Sequence, residues 1–466
     1  MSTAEQADQR YQEALRLLGE RGRFGIRLGL SRTRALLRRL GSPERGLPGV
    51  LIGGTNGKGS VQALVGAVLR QAGRRVGQTP KPHLVSYRER ILIDGEPIGT
   101  GEFAMLIERV LAEAEAIERR HGPPTEFEVL TAAAFSWFRQ SGVELAVVEV
   151  GLGGRLDATN AWQGGLSAIT NVALDHTEHL GSTVAAITRE KAQIVKRGDH
   201  LALSTAEPEA LALIAARARR VAVPLRVVQA LPVLGMDRAG LRLAAGDSEL
   251  RVGLLGRHQA ANAALALAIL EAMDEIGMAS VSQEALRTAM AGARWPGRLE
   301  LLALAPDGSA AGADPRAPDP GRPDVLLDGA HNPHGTAALA AALDELRPQL
   351  SGGRPTVLLG VLGDRDVPAL LAPLLTSRAL IGAQVIATDV PDTPRALPAA
   401  QLAQAWRAGA ELARSARGPA RGPARAVPDV DDALAAASRQ ALAEGGPLLI
   451  CGSLYLVGHV RGRLLR

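Results

Sequence analysis

Short hydrophobic runs alternate with longer amphipathic stretches between residues 48 and 300 of the chain. The apolar run at 50–52 leads into glycines and then into a stretch with apolar residues at helical spacing, which ends at Gly73. This order predicts a buried strand, a glycine loop and an amphipathic helix. Apolar runs at 143–150 and 166–172 predict further buried strands, and the alternating runs at 222–255 predict antiparallel hairpins.

A second set of apolar runs, separated by alanine-rich stretches, lies at 324–327, 356–362, 384–388 and 447–451. Strands that alternate with helices are typical of a mostly parallel sheet covered by helices. We therefore predict an α/β fold: a P-loop mononucleotide-binding domain with a parallel sheet plus a small antiparallel sheet, followed by a smaller Rossmann-like α/β domain. The predicted bounds are 1–296 and 297–466. The Pro-, Gly-, Ala- and Asp-rich segment 303–323 is predicted to be a flexible loop insertion.

Length and composition limit the classes of protein to be considered. The chain has 466 residues, enough for two domains, and 46% of them are hydrophobic against 22% charged, which is typical of a globular protein. Its pI is near 9.8, yet the formal net charge is only +5 and basic residues are interleaved with acidic ones, which favours small anionic ligands over nucleic acid. One cysteine, a polar N-terminus and the lack of any apolar run of about eighteen residues predict a cytoplasmic protein without membrane contact.

A glycine-rich segment between the first predicted strand and its helix has the composition of a phosphate-binding loop. It consists of Gly54, Thr55, Asn56, Gly57, Lys58, Gly59 and Ser60. Backbone N–H groups at a helix N-terminus attract phosphate oxygens, the Lys58 ammonium would neutralise phosphate charge, and the Ser60 hydroxyl would ligate Mg²⁺. The common P-loop pattern places Ser or Thr directly after the lysine, whereas Gly59 intervenes here. A glycine turn that only caps a helix is therefore the alternative.

A second candidate group follows the predicted strand at 143–150. Glu149 stands near its carboxyl end, where open α/β sheets bind ligands, and a carboxylate there can hold a hard cation such as Mg²⁺. An ordinary surface salt bridge is the alternative. The lysines are also informative, because the chain has forty-nine arginines and only four lysines. Lys58 and Lys191 both lie in motifs whose chemistry arginine cannot perform, although codon bias could also leave four lysines at random.

Residues 54–60 and 149–160 together resemble the signature of the dihydrofolate synthase and folylpolyglutamate synthase family, within the Mur ligase superfamily of ATP-dependent amide-forming ligases. Nine shorter matches lie in the family's order, among them PHL at 82–84, FEVLT at 127–131, LDH at 174–176, HQAAN at 258–262 and DGAHNP at 328–333. The resemblance implies that the γ-phosphoryl group of ATP goes to a pteroate or folate carboxylate. The amino group of L-glutamate then attacks the resulting acyl phosphate.

The resemblance also implies roles for single residues. Ser60 and Glu149 would bind a first Mg²⁺ and His176 a second, and Lys191 matches a lysine that the family carries as a carbamate, an oxygen ligand that arginine cannot form. The implied catalytic residues are Lys58, His176, Lys191 and Arg298. Nucleotide contacts are implied for residues 54–60 and for Asn262, Arg298, Asp328 and His331. Substrate contacts are implied for Lys81, His83, Arg155 and Asp157.

Local structural roles are the alternatives for several of these residues. His176 would then be a hydrogen-bonded structural histidine and Lys191 a surface lysine. Packing or capping roles are the alternatives for Asn262, Arg298, Asp328 and His331. Lys81 stands in a loop where the family usually has small hydroxyl residues, and it either neutralises a folate carboxylate or is a solvated loop side chain.

The implied protein is a cytoplasmic, monomeric, ATP- and Mg²⁺-dependent ligase that couples L-glutamate to dihydropteroate and extends reduced folates by γ-linked glutamates. Use of a monovalent cation is left open. The alternatives are a monofunctional version of either activity or another Mur-type amide ligase, although peptidoglycan Mur ligases place a sugar-nucleotide domain before the phosphate loop and only 53 residues precede Gly54. An ATP-driven switch or nucleic-acid ATPase would explain the loop and the basic pI, but not Lys191 or DGAH at 328–331.

Overall fold

The computed structural model describes residues 3–22, 25, 27–415 and 422–465. The chain forms two compact units. The first consists of Met1–Leu231 and Ala261–Met290, and the second of Pro232–Ala260 and Ala291–Arg466. No helix in the described ranges combines the length and the hydrophobicity needed to cross a membrane.

An eight-stranded sheet forms the centre of the first unit. Its strands are β1 (Gly49–Gly53), β2 (Val76–Thr79), β3 (Leu92–Ile93), β4 (Glu96–Pro97), β5 (Leu145–Glu149), β6 (Gly165–Ile169), β7 (Leu201–Ser204) and β8 (Leu225–Val227). Their order is β4-β3-β2-β5-β1-β6-β7-β8; β3 and β4 pair antiparallel at one edge and the other strands run parallel. β1 and β5 are buried along their whole length. Burial on both faces explains why their sequences are continuous apolar runs.

Ten α-helices lie between residues 3 and 292 in the described part of the chain. They are α1 (Thr3–Gly22), α2 (Ser31–Arg39), α3 (Lys58–Gln71), α4 (Thr100–His121), α5 (Glu126–Gln140), α6 (Thr177–Leu180), α7 (Val184–Lys191), α8 (Pro208–Val221), α9 (Gln259–Glu275) and α10 (Gln283–Gly292). The aromatic rings of Phe135 and Trp162 meet in the core of the first unit, with centroids 5.6 Å apart. A capping box between Thr125 and Glu128 begins α5 and fixes the position of its first turn.

The second unit contains two sheets. The small antiparallel one consists of β9 (Val233–Asp237), β10 (Gly240–Ala245) and β11 (Ser248–Val252). The large one consists of β12 (Glu300–Leu304), β13 (Ala310–Gly312), β14 (Asp324–Asp328), β15 (Thr356–Leu359), β16 (Gln384–Ala387), β17 (Ala424–Ala426) and β18 (Leu448–Cys451), in the order β13-β12-β14-β18-β15-β16-β17. Its helices are α11 (Pro333–Leu346), α12 (Val367–Thr376), α13 (Ala399–Ser415), α14 (Val430–Glu444) and α15 (Leu454–Leu464). The predicted α/β class, with a parallel sheet, a small antiparallel sheet and a second α/β unit, is confirmed.

The predicted domain bounds, 1–296 and 297–466, stay a prediction. In the structure, residues 232–260 group with the second compact unit, although the prediction placed them in the first domain. A buried ion pair supplies the physical reason: both terminal nitrogens of Arg238, in the turn between β9 and β10, donate to the carboxylate of Asp324 on β14 at 2.8 Å. These two residues lie 86 positions apart, so the pattern of either segment alone could not reveal their contact.

The expectation for the segment 303–323 needs correction. The segment was expected to be a flexible loop insertion, but residues 310–312 form β13, which pairs antiparallel with β12 from Leu302↔Gly312 to Leu304↔Ala310. A hairpin was not evident because β13 consists only of alanine and glycine, residue types that are depleted in strands. The antiparallel hairpins predicted for 222–255 are confirmed for β9 to β11. In contrast, β8 pairs in parallel with β7.

Candidate active site

The candidate active site lies where four neighbouring strands of the first unit end. β2, β5, β1 and β6 are adjacent in the sheet and parallel, so their carboxyl ends meet at one edge. In open α/β sheets, ligands bind at this edge. The segments that leave these four strands carry the glycine-rich loop, Glu149, Lys81 and the LDH motif.

The glycine-rich loop is held in place by residues that follow β6. Gly54 has a φ of +132°, and a Cβ atom there would lie 1.8 Å from the hydroxyl oxygen of Thr170. That hydroxyl donates to the carbonyl of Asn56 at 2.7 Å, and the N–H of Asn56 donates to the side-chain oxygen of Asn171 at 2.9 Å. Thr55 and Ala173 complete the contact through two further hydrogen bonds. Glycine is therefore required at position 54 by sterics as well as by backbone conformation.

The loop leads directly into α3. Gly57 adopts a left-handed conformation, with a φ of +89°, immediately before the helix begins at Lys58. A Cβ atom at Gly57 would lie 2.3 Å from the side-chain oxygen of Asn262, so the predicted nucleotide residue Asn262 packs against the loop. Gly59 and Ser60 form the first turn of α3, where free N–H groups and the helix dipole favour an anion.

Two lysines converge on the same loop carbonyl. The ammonium of Lys58 donates to the carbonyls of Gly54, at 3.2 Å, and Thr55, at 2.9 Å. The ammonium of Lys191, near the end of α7, donates to the carbonyl of Gly54 at 2.8 Å. Lys191 is only 6% exposed. Burial, together with the charge of Lys58, lowers the pKa of Lys191 from 10.5 to about 7, although Asp175 acts in the opposite direction.

Glu149 ends β5 beside these lysines and is 4% exposed. One carboxylate oxygen lies 4.0 Å from the ammonium of Lys58, and the other accepts the backbone N–H of Lys81 at 3.1 Å. The Ser60 hydroxyl is buried at the start of α3. Hydroxyl and carboxylate oxygens are the donors that Mg²⁺ prefers, and Mg²⁺ usually retains several waters. Ser60 and Glu149 thus fit the first predicted metal site by the chemistry of their donor atoms.

His176 lies in a loop that also carries acidic residues. Its backbone is left-handed, with a φ of +50°, and it precedes α6. Its ring nitrogens lie 3.9 Å from Asp175 and 3.8 Å from Glu178. Among the described residues, no group of three or more His, Cys, Asp or Glu side chains is arranged to hold a metal ion. The second predicted metal site, with His176 and Lys191, therefore stays a prediction.

The four predicted substrate residues have different surroundings. Lys81 is half-buried, and burial lowers its pKa from 10.5 to about 8 despite the nearby charges of Asp157 and Glu149. His83 accepts a hydrogen bond at Nδ1 from Arg90 at 2.8 Å, and burial lowers its pKa to about 3. His83 is consequently neutral at physiological pH and acts as an acceptor. Lys81 is not the solvated loop side chain that the sequence left open.

Asp157 and Arg155 have local partners. The carboxylate of Asp157 accepts the N–H groups of Gly151, Leu152 and Thr159 at 2.9 to 3.0 Å, so it shapes the glycine-rich turn after β5. Arg155 is exposed and pairs with Glu190 at 3.0 Å. Substrate binding by these two residues stays a prediction. The structure shows that Asp157 closes the turn after β5.

The remaining predicted site residues lie in the second unit. Asp328 ends β14, and its two carboxylate oxygens accept the N–H groups of Leu299 and Ala330, each at 2.8 Å. Burial raises the pKa of Asp328, while Arg298 acts in the opposite direction. The Nδ1 atom of His331 donates to the carbonyl of Gly329 at 2.8 Å. Arg298, Asp328 and His331 thus come together at the carboxyl end of β14, and their nucleotide contacts stay predictions.

Comparisons with known proteins agree along the whole chain. The Mur ligase middle domain matches residues 52–270, and the dihydrofolate synthetase C-terminal domain matches residues 319–465. A dihydrofolate synthase/folylpolyglutamate synthase from Bacillus subtilis is 32% identical over 97% of this chain and 99% of its own length. The chain belongs to the dihydrofolate synthase/folylpolyglutamate synthase family. The family predicted from the sequence is thereby confirmed.

Solved structures of the family have the same fold. The Mycobacterium tuberculosis folylpolyglutamate synthase complexed with ADP and AMPPCP has a TM-score of 0.82 and 32% identity, with 99% of each chain covered. Escherichia coli FolC in complex with DHPP and ADP has a TM-score of 0.77 and 28% identity, with 97% of each chain covered. As a member of the dihydrofolate synthase/folylpolyglutamate synthase family, the chain is an ATP-dependent, amide-bond-forming ligase.

Three residues that support the loop were not predicted from the sequence of this family member. Thr170 and Asn171 hold the backbone of the loop, and Asp175 influences the pKa of Lys191. The available signal was position: Thr170 and Asn171 follow β6 directly, at the same edge of the sheet where Glu149 ends β5. Asp175 also lies within the quoted LDH motif, where only His176 was given a role.

Proposed function

We propose that this chain joins L-glutamate to dihydropteroate and also adds γ-linked glutamates to reduced folates, using ATP and Mg²⁺. The observation that carries the proposal is the convergence of Lys58, Lys191 and Glu149 on one glycine loop at the end of β1 and β5. The proposal is also supported by the names of the relatives, among them the bifunctional proteins of Bacillus subtilis and Mycobacterium tuberculosis. The proposed location of the protein is the cytoplasm, and its proposed oligomeric state is a monomer.

The chemistry explains why cations must surround the loop. A carboxylate is a poor electrophile, so one of its oxygens first attacks the γ-phosphorus of ATP and ADP leaves. The glutamate nitrogen then attacks the acyl carbon, loses a proton and displaces inorganic phosphate. Both ATP and the acceptor are anions, and fixed positive groups offset their repulsion in the transition state. Lys58 would neutralise phosphate charge, and the position of its ammonium at the loop, where it donates to the carbonyls of Gly54 and Thr55, supports this role.

Ser60 and Glu149 would hold a first Mg²⁺, and His176 with a carbamate on Lys191 a second. Mg²⁺ supplies electrostatic stabilisation of charge that develops on phosphoryl oxygens. A carbamate forms when a neutral amine takes up CO₂, and the lowered pKa of Lys191 makes that neutral form available near pH 7. Buried surroundings at 6% exposure would also protect the carbamate from water.

ATP consumption with L-glutamate, measured with dihydropteroate and tetrahydrofolate offered separately, tests the proposal. Turnover with both acceptors is expected, with one glutamate added per phosphate released. Turnover with one acceptor alone would leave a monofunctional enzyme. Phosphate release that is stimulated by DNA or RNA and indifferent to both acceptors would instead support an ATP-driven switch.

A further inference from the structure

Lys81 contacts Glu149 through both its backbone and its side chain, and it also lies over the ring of Phe127. Its backbone N–H donates to the carboxylate of Glu149 at 3.1 Å, and its ammonium donates to the backbone carbonyl of the same residue at 2.9 Å. The ammonium also lies 4.2 Å from the ring centroid of Phe127, within the range of a cation–π interaction. The Lys81 side chain is thus held at the end of β5, next to the predicted metal carboxylate.

The same side chain borders a cavity in the first unit that has room for about one water. Its polar and aromatic lining consists of Thr79, Lys81, Arg90, Phe127, Thr131 and Thr159. Thr79 is 3% exposed, and its hydroxyl has no hydrogen-bond partner among the residues that the structure describes. A buried hydroxyl without a partner costs free energy unless a ligand or water satisfies it. A single water in this cavity would satisfy the Thr79 hydroxyl, and a larger ligand would lie outside it, at the Lys81 side chain.

Lys81 and Arg90 both line this cavity, and three carboxylates lie near them. These carboxylates already have partners in the chain: Glu149 accepts the backbone N–H of Lys81, Asp157 accepts three backbone N–H groups, and Glu126 lies 3.9 Å from Arg90. An ammonium has three donors, and the carbonyl of Glu149 accepts one of them. The Lys81 ammonium consequently keeps donor capacity for a carboxylate beside an aromatic ring.

We propose that Lys81 is a specificity-determining residue, whose ammonium pairs with the carboxylate of an aromatic acceptor acid at the end of β5. This inference rests on the proposed function and names the group of the acceptor that this chain selects. It also gives a reason for lysine where the family usually has a small hydroxyl residue. A hydroxyl can donate one hydrogen bond to a carboxylate but supplies no charge, whereas the ammonium supplies both.

A binding cycle tests the proposal. The dissociation constants of dihydropteroate and of its carboxamide are measured in the presence of Mg²⁺ and AMPPCP, for the wild type and for Lys81→Met. Methionine keeps most of the length of the lysine side chain and removes its charge. Lys81→Met is expected to weaken dihydropteroate binding by about 10- to 100-fold and carboxamide binding by less than about twofold. Lys81→Arg is expected to retain most of the preference for the carboxylate. The effect of Lys81→Met on the acid, divided by its effect on the amide, isolates the interaction between Lys81 and the carboxylate, because contacts of the carboxylate with other residues cancel.

Lys196→Met is the matched control. Lys196 is also half-buried, and its ammonium also donates to a backbone carbonyl, that of Trp162. Its replacement should leave both dissociation constants unchanged. Equal weakening of acid and amide by Lys81→Met would indicate a purely structural role and overturn the proposal, as would unchanged binding of both. A wild-type enzyme that binds nucleotide but neither ligand would overturn the proposed function itself, and this inference with it.

Discussion

Replacing Asp324 with alanine tests whether the small sheet is fixed to the second unit by a buried ion pair. The side chains of Arg238 and Asp324 are 2% and 0% exposed. Arg238 also donates to the carbonyls of Asp314 and Gln349, and Asp324 accepts the N–H of Ser351 at 2.7 Å. Alanine at position 324 would leave one guanidinium nitrogen and the Ser351 N–H without their acceptor.

The magnitude follows from the burial of the pair. Removal of one partner from a buried ion pair costs about 3–5 kcal/mol, because the remaining charge stays desolvated and uncompensated. For a domain of 150–250 residues, 1 kcal/mol corresponds to roughly 2–4 °C in melting temperature, so a decrease of about 10 °C is expected. Replacement of both partners, as Arg238→Met with Asp324→Leu, should recover most of the loss because no charge remains buried.

A partly exposed pair in the same unit provides the control. Arg251 and Asp237 also form two parallel hydrogen bonds, at 2.8 and 3.0 Å, but their side chains are 35% and 39% exposed. Asp237→Ala should cost at most about 1 kcal/mol, because water screens such a pair. The assays are thermal unfolding, equilibrium urea unfolding and hydrogen exchange of the β14 amide groups. Equal losses for Asp324→Ala and Asp237→Ala would refute the reasoning, since burial is the main difference between the two pairs.

Three predictions concern the active site. Lys191→Arg should lower turnover by at least about 100-fold while AMPPCP still binds, because a guanidinium cannot form a carbamate; near-normal turnover would reject the carbamate. Wild-type turnover at constant dissolved CO₂ should rise as the pH increases through about 7, because the pKa of Lys191 is lowered and its neutral amine then predominates; a flat profile would contradict this. Gly54→Ala should weaken nucleotide binding by at least about tenfold, as measured by calorimetry, because its Cβ would overlap Thr170; unchanged affinity would show that the loop relaxes without penalty.

Local patterns were sufficient to predict the phosphate loop. An apolar run followed by glycines and then by helical spacing defines β1, the loop and α3, because each element is specified by residues adjacent in sequence. Glu149 was predicted for the same reason, since a strand end is a position that the sequence itself marks. The convergence of these segments then follows from the parallel order of β2, β5, β1 and β6.

Contacts between distant segments could not be predicted in this way. Lys81 and Glu149 are 68 positions apart, and Arg238 and Asp324 are 86 apart. Neither pair leaves a periodic signal, because each depends on how two separate elements pack. The single sequence therefore left Lys81 undecided and gave no sign of the contact between Arg238 and Asp324.

The use of lysine in an arginine-rich chain can now be related to the environment of each ammonium. Of the four lysines in the sequence, Lys58, Lys81 and Lys191 donate to backbone carbonyls at the carboxyl ends of β1 and β5. These ammonium groups share a confined space in which a planar guanidinium with five donors would not be satisfied by single carbonyls. Burial lowers the pKa of Lys81 to about 8 and that of Lys191 to about 7, so that these amines can lose their proton near neutral pH, whereas a guanidinium stays protonated. A codon bias would account for the rarity of lysine in the chain, but it would not account for three of the four lysines lying at one edge of one sheet. A requirement for compact, titratable cations at that edge accounts for both their position and their identity.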